Sequence, residues 1–425
     1  MARPLHFANV MMKRLSLILL AAAACTDDTS QNETPNEPTA TFKLRIDNIV
    51  PFEVLKSGTI GTGPIAPGQR FEIRFTAGKG HAVSFATMLG ESNDWFFAPG
   101  PDGIRVFDDA GKPMSGNVTK YVKLWNAGTE IDQEPAIGDA TAPRQPMPNY
   151  GAPDPDKRVR EVPGIVVSKL VEVTLVHHGE REFSLVILNC STNRLVTSQG
   201  PISIHLSPLV WALHRMPAPL FTPGEPDRGR GLERIAEDGN PAELGGALAK
   251  VTGFHTPLSP GVVVVHQGAA PLFAVGSPDY GAGLERIAED GNPAELADQA
   301  SAVFDTPIGA SAPGPAMPGM RYETSVVAAP GDRLTLVTMY GMSNDWLFAV
   351  DGVPLFDGTT PRAGELPVAL YDLGSEHDQE IDIGPGTAPQ QPAPNTGAAD
   401  PNNAVRPAAH NVPATTHLRV TLTPQ

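Results

Sequence analysis

The chain has 425 residues, 44 prolines, 42 glycines and a formal charge of −16, with 47 acidic against 31 basic side chains. That acid excess excludes nucleic-acid binding by bulk electrostatics and fits cationic partners, divalent ions above all. So much Pro and Gly, with few long amphipathic runs, excludes a helical bundle and suits short strands joined by turns.

The first residues read as a targeting segment. Lys13 and Arg14 precede an apolar run at 15–24 that ends on Cys25. The run is too short to span a bilayer and has the three-part form of an export signal. L-L-A-A-A-A-C resembles a bacterial lipobox, in which Cys25 is lipidated and becomes the mature N-terminus, although Ala22 stands where that pattern prefers Leu. The alternative is an ordinary secretory signal cleaved nearby, and Met11 or Met12 is an alternative start. Residues 25–40 are polar, acidic and proline-bearing, and read as a disordered tether. The expected location is the outer membrane or cell surface as a lipoprotein, or the periplasm or medium without the lipid. Cys190 reads as a buried, inert thiol beside a strand.

Phe42, Leu44 and Ile46 alternate with polar residues and predict a half-buried strand opening a first domain at 41–179. P-I-A-P-G-Q-R-F-E-I-R-F predicts a turn and another alternating strand. Then come T-M-L-G-E-S-N-D-W-F-F-A (87–98), L-W-N-A-G-T-E-I-D-Q-E (124–134) and a Pro/Asn tail at 141–155. L-V-E-V-T-L-V (170–176) predicts the closing strand. The three segments recur in order as T-M-Y-G-M-S-N-D-W-L-F-A (338–349), L-Y-D-L-G-S-E-H-D-Q-E (370–380) and a tail at 387–401. The chain therefore holds two versions of one domain. The second is expected at 180–425, opened by E-F-S-L-V-I-L-N and closed by T-H-L-R-V-T-L.

This second domain carries an insertion that is itself duplicated, at about 206–250 and 258–302, with G-L-E-R-I-A-E-D-G-N-P-A-E-L at 231–244 and again at 283–296. Leu232, Ile235 and Ala236 lie at helical spacing, as do Leu284, Ile287 and Ala288. Gly239 and Gly291 stand where a helix C-cap needs positive φ, and Asn240 and Asn292 read as caps of a second short helix. The expected architecture is all-β: two tandem antiparallel β-sandwiches, the second with a duplicated strand/short-helix insertion.

Asp94, Asn126 and Glu130 in the first copy, and Asp345, Asp372 and Glu376 in the second, offer the oxygen ligands that calcium takes. Gly128 and Gly374 let the loop turn sharply and bring acids four apart onto one ion. The competing reading is turn chemistry, in which these side chains bond backbone N–H groups. Asp132, Glu134, Asp378 and Glu380 read as a solvated acidic loop. Trp95 and Trp346 read as core, and His214 and His266 as structural, since no partner ligands stand at zinc spacing. Glu237 with Asp238, and Glu289 with Asp290, read as a helix-terminal acidic surface, because adjacent helix residues do not face each other. No nucleophile elbow, P-loop or dinucleotide fingerprint is present.

S-N-D-W followed by [W/Y]-[N/D]-x-G-[T/S]-E resembles the spondin N-terminal domain family. G-L-E-x-I-A-E-D-G-N-P is similar to the middle part of its bacterial members. The resemblance spans 41–425; the first domain departs by lacking that middle, which the second has twice. It implies a C2-like β-sandwich, a calcium ion held by acidic loop residues, and extracellular binding or adhesion without enzyme activity. It gives D-x-G-[T/S]-[D/E] at Asp372 and Glu376 most weight. Asn126, where an Asp is expected, brings no charge and implies a weaker site. The expected partner is an extracellular or envelope ligand, protein or glycan, with membrane contact through the lipid anchor only. The alternatives are a metal-dependent periplasmic hydrolase using the acids with His214 or His266, and a metal-free structural envelope protein.

Overall fold

The computed structural model describes residues 39–49, 52–409 and 413–425, so the expected export signal, Cys25 and almost all of the expected tether lie outside the described residues. Strands dominate, as expected, and they pair antiparallel in two sandwiches. Among the described residues no helix is long and apolar enough to cross a membrane.

In the N-terminal sandwich one sheet runs Arg70–Thr76, Glu182–Asn189, Val171–Gly179, Gly116–Asn117. The facing sheet runs Lys56–Ile60, Leu209–His214, Ala82–Met88, Trp95–Pro99, Val122–Asn126, Arg160–Glu161. Phe71, Ile73 and Phe75 from the first meet Val83, Phe85 and Phe97 from the second in one buried core. The outer face of the second sheet is covered by two helices, α1 (Leu232–Asp238) and α2 (Ala242–Lys250). Ala86, Phe96 and Trp125 point to Leu232, Ile235 and Leu244 in a separate cluster. Every residue of Ala82–Met88 is consequently buried, because its sheet has protein on both faces.

The C-terminal sandwich repeats this plan. One sheet runs Arg321–Ala328, Ala40–Asn48, Leu418–Pro424, Gly364–Leu366, and the other runs Ala302–Phe304, Leu258–His266, Arg333–Tyr340, Trp346–Pro354, Ala369–Asp372, Arg406–Pro407. A third helix, α3 (Leu284–Asp290), covers its outer face.

The strand sorting corrects the expected boundaries at 41–179 and 180–425. Ala40–Asn48 does not open the first domain; it lies between Arg321–Ala328 and Leu418–Pro424, with Leu44 opposite Thr324 and Leu422. Glu182–Asn189 takes the matching place in the N-terminal sandwich. The reason is local. Only Glu180 and Arg181 separate Val171–Gly179 from Glu182–Asn189, and Gly179 and Glu180 have φ of 121° and 46°. So tight a turn commits the two strands to each other. F-S-L-V-I then fills the slot, and F-K-L-R-I, with the same alternation, pairs in the other sandwich.

The duplicated insertion is also shared out, which corrects its expected place in one domain. Leu209–His214 with α1 and α2 belongs to the N-terminal sandwich, and Leu258–His266 with α3 to the C-terminal one. Each strand is an interior member of its sheet, not an addition to it. Gly239 takes φ 67° as the cap required, and a Cβ there would lie 2.7 Å from that of Ser207. Asn240 Oδ1 accepts from the Ala242 N–H at 3.0 Å and starts α2. Asn292 does the same for Ala294, but only the 3₁₀ turn Ala297–Gln299 comes after it. There the sequence runs A-D-Q-A-S into the strand Ala302–Phe304, in place of G-G-A-L-A.

The two sandwiches meet through the acidic loop of the C-terminal one. Asp382, 1% exposed, binds Arg215 and accepts from His81 Nε2 at 2.9 Å. His81 Nδ1 accepts from the Gly78 N–H, which fixes the tautomer.

Candidate cation site

Each S-N-D-W segment is a turn closed by its serine. Ser92 Oγ accepts from the Trp95 N–H at 3.0 Å and donates to Leu89 O at 2.7 Å; Ser343 repeats this with Trp346 and Tyr340. The turn points Asp94 and Asp345 inward, both 0% exposed. The next residue pairs across the sheet with the start of the second motif, Trp95 opposite Asn126 and Trp346 opposite Asp372. Sheet register thus brings 94 beside 126 and 345 beside 372, in keeping with the motif spacing.

The second motif wraps round the aspartate. Asp372 Oδ1 accepts from the Gly374 N–H at 2.7 Å, and Asn126 Oδ1 from that of Gly128. Gly128 and Gly374 have φ of 74° and 75°, and a Cβ on Gly128 would lie 2.7 Å from the Arg158 carbonyl. Beyond the turn, Asp94 Oδ2 accepts from the N–H of Thr129 (3.1 Å) and Glu130 (3.3 Å). Asp345 Oδ2 accepts from the Glu376 N–H at 2.9 Å. Glu130 and Glu376 are buried, and each accepts from a tail glycine, Gly151 at 2.6 Å and Gly397 at 2.7 Å.

The acids brought together are not the three expected. Asp345, Asp372 and Asp378 bring three carboxylate oxygens within 4.8 Å of one another, the one such group among the described residues. By sequence Asp378 reads as solvated loop; it is exposed, and the Trp346 Nε1–H, donating at 2.9 Å, holds it beside the other two. Glu376 meets Asp345 through its backbone, while its carboxylate goes to Gly397. An ion between the three aspartates would sit within roughly 2.8 Å of each, against about 2.3–2.6 Å for calcium–oxygen bonds. Arg406 compensates part of the charge, 2.5 Å from Asp372 and 3.7 Å from Asp378.

The N-terminal copy closes the same triangle without a cation. Asn126 Nδ2 donates to Asp132 Oδ1 at 2.7 Å, where Asp372 can only repel Asp378. Trp95 Nε1 donates to the same oxygen at 2.6 Å, so both tryptophans are buried and anchored as core residues.

Sequence reasoning missed two buried acids. Glu237 on α1 and Glu289 on α3 are 1% and 2% exposed, not surface residues. Asp238 and Asp290 turn away to Arg234 (2.6 Å) and Arg286 (2.7 Å). Both glutamates lie off the helix's apolar stripe, so periodicity assigns them to solvent. The acidic loop covers that flank: Ser375 Oγ donates to Glu289 Oε1 at 2.5 Å. Unpartnered buried oxygens remain on Asp94, Glu130, Glu237, Glu289 and Glu376.

Burial disfavours charge on all these acids. It pushes Asp94 up to about 7, Glu237 and Glu289 to about 8 and Asp345 to about 6. Asp372 rises to about 7, through burial and then the charges of Asp345 and Asp378. The folded protein then holds protons that the unfolded chain has already released, so stability is lost as pH rises through 7 to 8. Thermal unfolding in chelator should show a lower Tm at pH 8.5 than at 6.5, by roughly 2–4 °C per kcal/mol lost. An equal or higher Tm at pH 8.5 would contradict these placements. Burial holds His214 down at about 4, so it acts in the opposite direction, adding stability as pH rises through its unfolded value of about 6.5.

The histidines stand away from the acids. His214 bonds Ser84 (2.9 Å) and the Met216 carbonyl (2.7 Å), and His266 bonds Thr335 at 3.0 Å. His214 pairs opposite Ala82, at the far end of the strand that leads through Met88 to Asp94, ~20 Å along the sheet. Cys190 is half-buried, and burial raises its thiol. No protein-family model matches this chain, and no curated protein matches it significantly.

Proposed function

We propose that this is an exported binding or adhesion protein without enzyme activity, whose C-terminal sandwich binds a divalent cation, calcium by its all-oxygen ligand set. One observation carries this reading: Asp345, Asp372 and Asp378 face one another within 4.8 Å, the first two buried and the third exposed, with one arginine against three carboxylates. Charges so placed repel unless a cation joins them. The resemblance to the spondin N-terminal domain family supports the adhesion role toward an extracellular or envelope partner. The lipobox-like start supports anchoring through Cys25 at the outer membrane or cell surface.

The test is thermal unfolding of the mature chain in chelator, in millimolar calcium and in millimolar magnesium. A ligand at a hundredfold excess over its Kd adds about 2.7 kcal/mol. Asp372→Asn, which copies the N-terminal half, should lose that gain while matching or exceeding the wild type in chelator. No calcium-dependent rise in the folded wild type would leave turn chemistry as the role of the motif. A rise equally strong with magnesium would refute calcium selectivity.

A further inference from the structure

A second acidic feature recurs in both halves and takes no part in the aspartate triangle. In the N-terminal sandwich a cleft of about 370 Å³ opens between α1 and the acidic turn, lined by Glu130, Glu237, Glu233 and Asp227 with Pro153 and Pro226. Glu130 and Glu237 line it while only 3% and 1% exposed, and each keeps one carboxylate oxygen without a partner. Asp227 adds a third unpartnered oxygen. The C-terminal half repeats the three without exception: Glu376, Glu289 and Asp279 each keep one buried oxygen without a partner. Glu376 and Glu289 are 4% and 2% exposed.

Buried carboxylate oxygens left unbonded are costly, and the same three left open twice mark a place where something binds. A cationic occupant would offset the cost that burial places on the charge of these carboxylates. It is not one bare ion, because these oxygens do not close to within 4.8 Å of one another as the aspartates do, and the cleft is far larger than an ion. Prolines and acids line the cleft together. An alkyl chain ending in an ammonium matches that form: the stem lies on the prolines, and three N–H donors meet separate carboxylates. A guanidinium fork suits one bidentate carboxylate better than three dispersed ones. We propose that the N-terminal cleft is a socket for an alkyl-ammonium group, presented by a lysine of a partner polypeptide or by a free polyamine, and that the matching acids of the C-terminal half form a second such socket. Lys157 stands on the rim of the N-terminal cleft, and Asn403 holds the corresponding position in the C-terminal tail. The C-terminal socket is therefore the more strongly cation-selective of the two.

The experiment is calorimetric titration of the mature chain in chelator at low salt, with pentalysine and with spermidine. The double variant Glu237→Gln, Glu289→Gln keeps side-chain shape and relieves buried charge, so it should fold. Saturable binding is expected, weakened about tenfold or more in the double variant. Asp372→Asn should bind the probes as the wild type does, which separates this site from the calcium reading. Tighter binding of pentalysine assigns the sockets to a polypeptide partner, and tighter binding of spermidine to a polyamine. Absence of binding at millimolar probe, equal binding by the double variant, or loss of calcium binding in the double variant would each overturn the proposal.

Discussion

Removing residues 38–48 will unfold the C-terminal sandwich and leave the N-terminal one folded. Phe42, Leu44 and Ile46 are each 0% exposed and lie in the C-terminal core with Tyr322, Phe348 and Leu422. Burial of each contributes ~1.5–3 kcal/mol, so the strand carries roughly 5–9 kcal/mol, of the order of a whole domain's stability. Its loss also strips two neighbouring strands of their ladder partner. Residues 52–255, by contrast, hold every strand of the N-terminal sandwich and should fold alone. A fragment ending at 179 lacks Glu182–Asn189 and Leu209–His214 and should not. Hydrogen exchange read by mass spectrometry separates the cases. Protection lost from Arg70–Thr76 and kept at Arg333–Tyr340 in the truncated chain would refute the strand exchange.

Asp382→Ala should destabilise the folded chain by about 3–5 kcal/mol, the usual loss when one member of a buried ion pair is removed. The lower end is expected, because Arg215 is 21% exposed and recovers some hydration. Backbone strain does not confuse the result. Asp382 has φ 60°, and Ala136 holds the matching position in the N-terminal loop at φ 62°. The pH dependence runs opposite to that of the cation-site acids. Burial pushes Asp382 up, but its bonds to His81 and Arg215 prevail and hold it below the usual carboxylate range. Burial outweighs Asp382 at His81 and holds the imidazole down. Both groups then contribute above their unfolded values and lose that contribution as pH falls, His81 below about 6.5 and Asp382 below about 4. Urea unfolding of wild type and variant at pH 7.5 and 5 measures this: the gap should widen at pH 5, because Asp382 supports the protonated His81 against burial and the variant loses that support. An unchanged midpoint in Asp382→Ala would show that the contact contributes nothing.

Much of the local structure comes from short-range pattern. Alternating apolar residues set the strands, Leu232, Ile235 and Ala236 set α1, and Gly239 sets its end, because each depends on neighbours within one turn or one pleat. The paired motifs placed Asp94 and Asp345 beside their partners at 126 and 372, since a ladder sets the position of the residues flanking a turn. Sequence left open every choice between equivalent partners. F-K-L-R-I and F-S-L-V-I present the same face, and only the two-residue turn after Gly179 decides which strand enters which sandwich. Asp378 displaces Glu376 at the triangle because Trp346 holds one carboxylate in place and Gly397 draws the other away. Glu237 and Glu289 face the motif because a loop more than a hundred residues away in one copy, and nearly ninety in the other, folds over the helix flank. The sequence by itself determined most strands, the helices α1 to α3 and the two motif copies, whose causes are local. The exchanged strand, the aspartate triangle and the acidic cleft were decided by tertiary structure alone, because each depends on which distant segment arrives to cover a given face.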